Sequence, residues 1–556
     1  MVRRWPEPLV REGIRAIVLT TINAEPTLWD AILPEAALRM PAGLAEIDRL
    51  LDDPRFFEPF RPFFSVRHGR PSIPMETYLR MMFLRFRYKL GFETLCAEVS
   101  DSIAWRRFCR IPLDAAVPHP STLVKITSRC GTAAIEQLNE TLLAKAAEEK
   151  LVRLDRVRAD STVVEANVAY PTDSGLLSKA VIALAGLVMV LKTAGLARRT
   201  RFRDRRRSVR RRAHEVAVWL RRRNDDAKNE VLAITSELAR LAELTVGDAR
   251  AVAINARRAL TRTNGPASGR VQRTLAEIDR IAGLAEQIVA QTRTRLAGGI
   301  PDGAARVVSL HDPDARPIRK GRLGRPVEFG YKAQIADNTD GLVLDHHIVV
   351  GNPPDAPMLA PAIARITARF GRAPKTVTAD RGYGEAAVDT ALAHLGVKTV
   401  AIPRRGRPGP QRTAIQRGRR FVRLVKWRTG SEARISCLKR DWGWRRTLLD
   451  SHSGVQVWCG WGVLAHNATK ISRLQQTANT HPRRHGGTDH SPPPMAPLQP
   501  PDPAQPDSPG APRRPRTGRS GRQEKPKPAG SRPTRAHNSH PSPTTTRHQP
   551  GFFRAK

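Results

Sequence analysis

Three acidic residues sit in surroundings that suit them to hold metal ions: Asp160 within RVRADSTVVEANV, Asp380 in TVTADRGYG and Glu432 in SEARISCLKR. Breaking a phosphodiester by in-line attack requires charge neutralisation on both the attacking and the leaving oxygen, and two divalent ions about 3.5 to 4 Å apart supply it. Hard ions such as Mg2+ choose oxygen ligands and keep several waters, so a few carboxylates from separate elements suffice. Each acid alone also has an ordinary reading. Most Asp and Glu residues are solvated surface groups, and Asp380 reads equally as a turn residue capping the helix after it. The three can meet only if the fold lays the segments of Asp160 and Asp380 side by side.

The segments around them predict how that could happen. RLDRVRADSTVVEANV (153–168) is β-branched and partly alternating, which predicts a strand pair or a strand running into a turn, with Asp160 in its middle. Strand character returns in ARVVSL, FGYKAQIA and GLVLDHHIVVG; GNPPDAP then leads into a helix over MLAPAIARITARFG. TVTADRGYG follows as a short strand ending at Asp380, then a helix from about Glu385, a strand in VKTVAIP, the basic segment RRGRPGPQRTAIQRGRR and a helix containing Glu432. Such an order predicts an α/β core, a mixed sheet with helices packed on it. His346 and His347 in LDHHIVV are adjacent in a strand and point to opposite faces, so at most one could face a shared site; both read as structural.

Three further regions surround that core. Residues 1 to about 150 show helical spacing in METYLRMMFLRFRYKLGF and AAIEQLNETLLAKAAEEK. Between them PHPS offers a turn and an N-cap, and TLVKITSRCG forms a short second helix ending at Gly131; a DNA-binding helix-turn-helix and plain helix packing fit this pattern equally. Residues from about 176 to 298 are strongly helical and read as an antiparallel insertion. Its first part is dense in arginine, and Arg205, Arg206, Arg207, Arg210, Arg211 and Arg212 along one helix would track a phosphate backbone, though such runs also form solvated faces. Beyond about Leu474 the chain turns rich in Pro, His, Ser and Arg; it cannot bury enough surface to offset chain entropy and is expected to be disordered. The expected division is a helical DNA-binding domain over 1–150, core over 151–175 and 301–474, the basic insertion over 176–300 and the tail over 475–556.

Composition narrows the partner. The 556 residues carry 94 Lys plus Arg against 52 Asp plus Glu, a formal charge of +42, and a field of that sign draws polyanions. Nucleic acid is the first candidate. An anionic membrane is the rival, but the longest apolar stretch, Ala180 to Leu191, is about a dozen residues, which predicts a buried helix rather than a span. The N-terminus MVRRWPEPLVREG lacks the apolar region of a secretory signal, so a cytoplasmic protein is expected. Five cysteines with no C-x-x-C spacing indicate neither a disulfide framework nor a structural zinc site.

Taken together, DSTVVEANVAYPTDSGLL, ADRGYG and WRTGSEARISCLKRDWGWRRT resemble the ISNCY-type insertion-sequence transposases of the wider DDE superfamily. The similarity runs from PSIPMETYLRMMFLRFRYKLGFETLC through GRPVEFGYKAQIADNTDGLVLDH to WCGWGVLAHNATK and stops before the tail. It implies an RNase H-like core with Asp160, Asp380 and Glu432 as its two aspartates and glutamate, each both catalytic and metal-binding. It also implies two Mg2+ ions, with Mn2+ as a substitute, and double-stranded DNA as partner, through terminal inverted repeats and target. Arg428, four residues before Glu432, and Lys439, seven after it, complete part of the family pattern on one helical face and would hold DNA phosphates; a plain helix salt bridge is the other reading. Where the pattern has a Tyr three residues before the Arg, this chain has Val425. Trp427 and Trp442 could offer a ring for a flipped base, though core packing accounts for both as well. The expected activity is metal-dependent strand cleavage and transfer by a nucleoid-associated enzyme, a homodimer on two DNA ends. A non-transposing nuclease of the same fold and an inactive DNA-binding relic are the alternatives.

Overall fold

The structure, a computed structural model, describes residues 17–21, 32–222, 224–262, 269–320 and 326–480. Its N-terminal part is mostly helical, with α1 (Ala42–Leu51), α2 (Met75–Tyr88), α3 (Phe92–Asp101) and α4 (Pro120–Glu148), but not all-helical as expected: the strands Ile17–Thr20 and Arg70–Pro74, distant in sequence, pair as a small parallel sheet beside them. α2 is the METYLRMMFLRFRY segment, with Met75, Tyr78, Leu79, Met82 and Phe86 buried. It also carries the fully buried Arg80, which is tolerated because Asp48 and Asp52 from the end of α1 each reach it at 2.7 Å. α4 starts at the PHPS turn, capped by His119 with Pro120 in its first turn, and breaks at Gly131, where φ is 58° and ψ is −149°. Only glycine adopts that conformation cheaply, so the first half of α4 ends there.

RLDRVRADSTVVEANV forms one ten-residue strand, β1 (Arg156–Glu165), rather than a strand pair. The chain then leaves for four helices, α5 (Asp173–Thr193), α6 (Arg206–Trp219), α7 (Asp225–Arg262) and α8 (Gly269–Leu296). α5 is 21 residues long, nearly twice the expected apolar run, because Ser174, Ser178 and Lys179 continue the same helix. With a mean hydropathy of 2.1 over its apolar window it is long and apolar enough to cross a membrane by length and composition alone. Here it is a bundle helix: Leu177, Val181, Leu184, Val188 and Leu191 are buried among α7 and α8 in a core separate from that of the sheet.

ARVVSL is not a strand. Val307 and Leu310 are buried in the bundle core and Val308 in the sheet core, so the β-branched run is spent on bridging two cores without a ladder partner. Gln291 of α8 replaces that partner, accepting from the Val307 amide at 3.0 Å and donating to its carbonyl at 3.2 Å. The strands that do follow are β2 (Arg316–Arg319), β3 (Val327–Asn338), β4 (Val343–Val349), β5 (Thr376–Thr378) and β6 (Thr399–Ala401).

The sheet is mixed, in the order β2-β3-β1-β5-β6, with β4 also paired to β3 on the side shared with β2. β3 runs antiparallel to β1, β2 and β4, whereas β5 and β6 run parallel to β1. Parallel neighbours need crossovers, and α9 (Ala356–Phe370) and α10 (Ala386–His394) provide them. Four helices follow among the described residues: a short one over Pro410–Arg417, then α11 (Arg419–Arg428), α12 (Gly430–Asp441) and α13 (His452–Thr480). α13 closes the β4 edge, where the Asn467 amide bonds both backbone groups of Val343 at 2.9 and 2.8 Å in place of a further strand. Its other side receives α2 through edge-on contacts of Tyr78 with Trp461 and of Phe86 with Trp458. One hydrophobic core therefore runs from the N-terminal helices into the sheet. The five cysteines are free thiols. α13 continues past Leu474 to Thr480, and the Pro-rich tail beyond it lies outside the described residues.

Candidate active site

The two aspartates owe their proximity to strand register. In the parallel pair β1–β5, Arg158 lies opposite Thr378. Asp160 and Asp380 each follow two residues later, Asp160 still within β1 and Asp380 just past the end of β5, so this register carries the two to the same end of the sheet. Asp160 is 9 % exposed, and its Oδ1 accepts from the Ser161 amide at 2.8 Å. Asp380 is half-buried just past the end of β5, where its Oδ1 accepts from the Gly382 amide at 2.8 Å and caps the turn Arg381–Tyr383. The capping role read from sequence and a place beside Asp160 thus coincide in one residue.

Glu432 reaches this locus in the first turn of α12, with its side chain 71 % exposed. Between it and β1 lies Arg428, at the end of α11, with Nη1 3.4 Å from Asp160 Oδ2 and Nη2 3.8 Å from Glu432 Oε1. What fixes α12 against the sheet is a buried charge cluster that the sequence reading missed. Arg158, on the same face of β1 as Asp160, forks onto Asp337 of β3 at 2.9 and 2.8 Å; Arg434 of α12 reaches Asp337 at 3.3 Å; and Arg158 also donates to the Trp427 carbonyl. Two glycines make room for the guanidinium groups: a Cβ at Gly430 would come within 2.1 Å of Arg158, and one at Gly341 within 1.9 Å of Arg434. The available signal was the spacing of Arg158 two residues before Asp160, which puts both on one face of a strand.

The electrostatics suit cation binding. Burial pushes the Asp160 carboxyl up to about 6, the negative charges of Asp380 and Glu432 push the same way, and the Ser161 amide and Arg428 oppose them. Beneath Asp380, Tyr383 is buried; burial and the nearby Asp355 hold its phenol well above the usual range, and Gln334 donates to its hydroxyl at 3.2 Å. Asp355 in turn pairs with Lys332 at 2.8 Å. This polar layer holds the turn that carries Asp380. Three hard oxygen donors sharing one locus match what a divalent ion selects. Among the described residues, however, no three Asp, Glu, His or Cys side chains already form a closed ligand cluster, and the Arg428 guanidinium stands between Asp160 and Glu432.

The other predicted residues distribute unequally. Lys439 lies on α12, partly buried and about 10 Å along the axis from Glu432, as two helical turns require. Of the arginines in α6 and its approach, Arg205 is buried and paired with Asp248 at 2.7 Å, so it anchors α6 to α7 and is not part of an exposed face. Arg206 pairs with Asp204, Arg211 with Glu215 and Arg212 with Glu237, while Arg207 and Arg210 are exposed. His346 is turned inward against Trp444, and burial pushes its pKa down to about 4; His347 faces the opposite side of β4. Trp442 is packed in the core, and Trp427 lies over the Arg158 guanidinium at 4.7 Å.

Comparison with known proteins agrees with this architecture. A family model described as Transposase domain (DUF772) matches residues 34–129, the N-terminal helices, and one described as Transposase DDE domain matches residues 305–468, which include Asp380 and Glu432. Neither reaches Asp160 or the helical insertion. Over 204 residues the chain is 29 % identical to "Uncharacterized protein ORF8 in nfe locus" of Rhizobium meliloti, a stretch covering 35 % of this chain and 88 % of that protein. No solved structure matches. A DDE domain implies an RNase H-like fold, divalent metal ions and a DNA substrate, and the mixed sheet with flanking helices accords with it. The chain thus carries a transposase N-terminal domain and a Transposase DDE domain, which support a DNA transposase of the DDE type with polynucleotidyl transferase or endonuclease activity.

Proposed function

We propose that this transposase is of the ISNCY type and that Asp160, Asp380 and Glu432 hold two Mg2+ ions, which Mn2+ can replace, at the ends of the inserted element. The observation that carries the reading is the geometry around the buried Asp160 carboxyl, which shares one locus with Asp380 and Glu432 and has Arg428 at 3.4 Å. Bound divalent ions would neutralise the attacking and leaving oxygens of an in-line displacement, first by water and then by the freed 3′-hydroxyl. Asp160 serves in its ionised form, so protonation below about pH 6 competes with metal binding. Arg428 exchanges its contact with Asp160 for a phosphate oxygen, where its planar fork gives orientation as well as charge. Lys439 holds the backbone further along α12, and the N-terminal helices and the exposed arginines of α6 add contacts away from the cut. Two copies, each acting on one inverted repeat, bring the ends together on the bacterial nucleoid in the cytoplasm.

The test is Asp160→Asn in the full chain. Mg2+-dependent nicking of a duplex carrying the terminal repeat should fall by about three orders of magnitude or more, while binding of that duplex stays within a few-fold, because carboxylates that hold the ions act in the transition state and not in DNA docking. Undiminished cleavage by the variant overturns the assignment.

A further inference from the structure

From Thr390 to Ser431 the chain carries no acidic residue and eleven Lys or Arg. The end of this stretch is α11, which runs straight into Arg428. Phe421 and Leu424 turn inward onto Ala401 of β6, with Val425 beside them. At about 100° per residue Arg428 shares that inward half, toward Asp160, and Arg419, Arg423 and Lys426 fall together on the opposite one. All three are exposed, with the 52 %-exposed Val422 beside them, and none has an ion-pair partner among the described residues. The contrast with α6 is plain, where Arg205, Arg206, Arg211 and Arg212 all meet carboxylates.

A stripe of unneutralised cations is costly in self-repulsion unless a polyanion covers it. Its seven-residue span is about 10 Å, or roughly three rises of one DNA strand. We infer that Arg419, Arg423 and Lys426 form a DNA-backbone track that takes the phosphates next to the cleaved bond and leads the strand to Arg428. The α11 helix thereby has two working faces, one turned to the site and one holding the strand that enters it. Phosphate contacts of this kind fix register and carry no sequence preference. The inference rests on the active-site reading above, since it takes the locus of Asp160 as the place of cutting.

The experiment compares wild type with Arg419→Ala/Arg423→Ala/Lys426→Ala in the full chain, using a fluorescent duplex taken from the DNA flanking the gene, with Mg2+. The half-saturating DNA concentration should rise about tenfold or more near 0.15 M salt, and the slope of log affinity against log salt should drop by about 2 to 3, close to 0.9 per lost phosphate contact. Cleavage at saturating DNA should stay within about threefold, since none of the three touches the reacting atoms. Arg419→Lys/Arg423→Lys should restore binding, which separates lost charge from a disturbed helix. Arg423→Cys should form disulfides with thiol-tethered phosphates beside the nicked bond, against a wild-type background from the native cysteines. An unchanged salt slope, or cross-links spread evenly along the duplex, overturns the inference. Loss of the active-site assignment would show separately, as Asp160→Asn that still cuts while the cross-link map is unaffected.

Discussion

Replacing Asp160 by Asn should stabilise the protein when divalent ions are absent, even as it removes activity. The carboxyl titrates at about 6 in the fold against an ordinary value of 3.8, so the native state holds its proton more tightly than the unfolded chain does. Well below the ordinary value of 3.8 both states are protonated and nothing is lost. As pH rises through the window from 3.8 to 6, the unfolded chain ionises first and native stability falls, and above that window the full penalty of about 3 kcal/mol stands. An Asn side chain escapes the penalty and can still accept the Ser161 amide, so its advantage should be about 1.5 kcal/mol at pH 5 and about 3 kcal/mol at pH 8. For a chain of this size the larger figure corresponds to a melting shift of a few degrees. Scanning calorimetry of both proteins in EDTA at several pH values measures it, and adding Mg2+ should narrow the gap, because only the wild type gains fully from the ion. A variant that is no more stable at pH 8, or whose advantage does not change with pH, would refute the claim that burial and neighbouring acids crowd this carboxyl.

Further expectations concern the surroundings. Arg428→Gln removes a cation that lowers the Asp160 pKa in the DNA-free protein, so that carboxyl should titrate higher still, as read by carbon-13 NMR of the carboxyl in EDTA without DNA. Asp337→Asn leaves Arg158 and Arg434 without their shared buried anion and should cost about 3 to 5 kcal/mol in denaturant melts, with cleavage lost in parallel as α12 loosens. Tyr383→Phe removes a single hydrogen bond and should cost about 1 kcal/mol with activity largely kept. Gly384→Ala drives a Cβ to within 1.9 Å of the Pro403 carbonyl and should displace the Asp380 turn; circular dichroism would remain native while cleavage fails. Neutralising Arg207 and Arg210 together should lower the salt slope of DNA binding by at most about 2.

Periodicity was enough to read the long helices of the N-terminal part, the inserted helices and most strands of the main sheet, because apolar spacing is a local property that burial preserves; the small sheet of Ile17–Thr20 with Arg70–Pro74 left no such mark. α9, α10 and α12 appear where their patterns put them, and β1, β5 and β6 appear where β-branched runs end in turn residues. The failures are equally physical. ARVVSL has the composition of a strand, yet a strand needs a neighbour with free backbone groups, and the fold supplies a glutamine side chain. The apolar run in α5 looked shorter than the helix that carries it, since polar residues at a helix end leave no mark in hydropathy.

For the site, composition by itself pointed to DNA as the partner, while the three acids and the Arg four residues before a Glu stood out mainly through the family resemblance. Tertiary structure alone decided that Asp160 and Asp380 come to the same end of the sheet, through the pairing of β1 with β5, which is set across more than two hundred intervening residues. It also decided that Arg205 is an internal ion pair, and that Asp337, distant in sequence, clamps the glutamate helix to the sheet through Arg158 and Arg434. Charge and residue type are written locally. Which charges are neutralised, and which remain free for a phosphate, depends on partners that only the folded chain brings within reach.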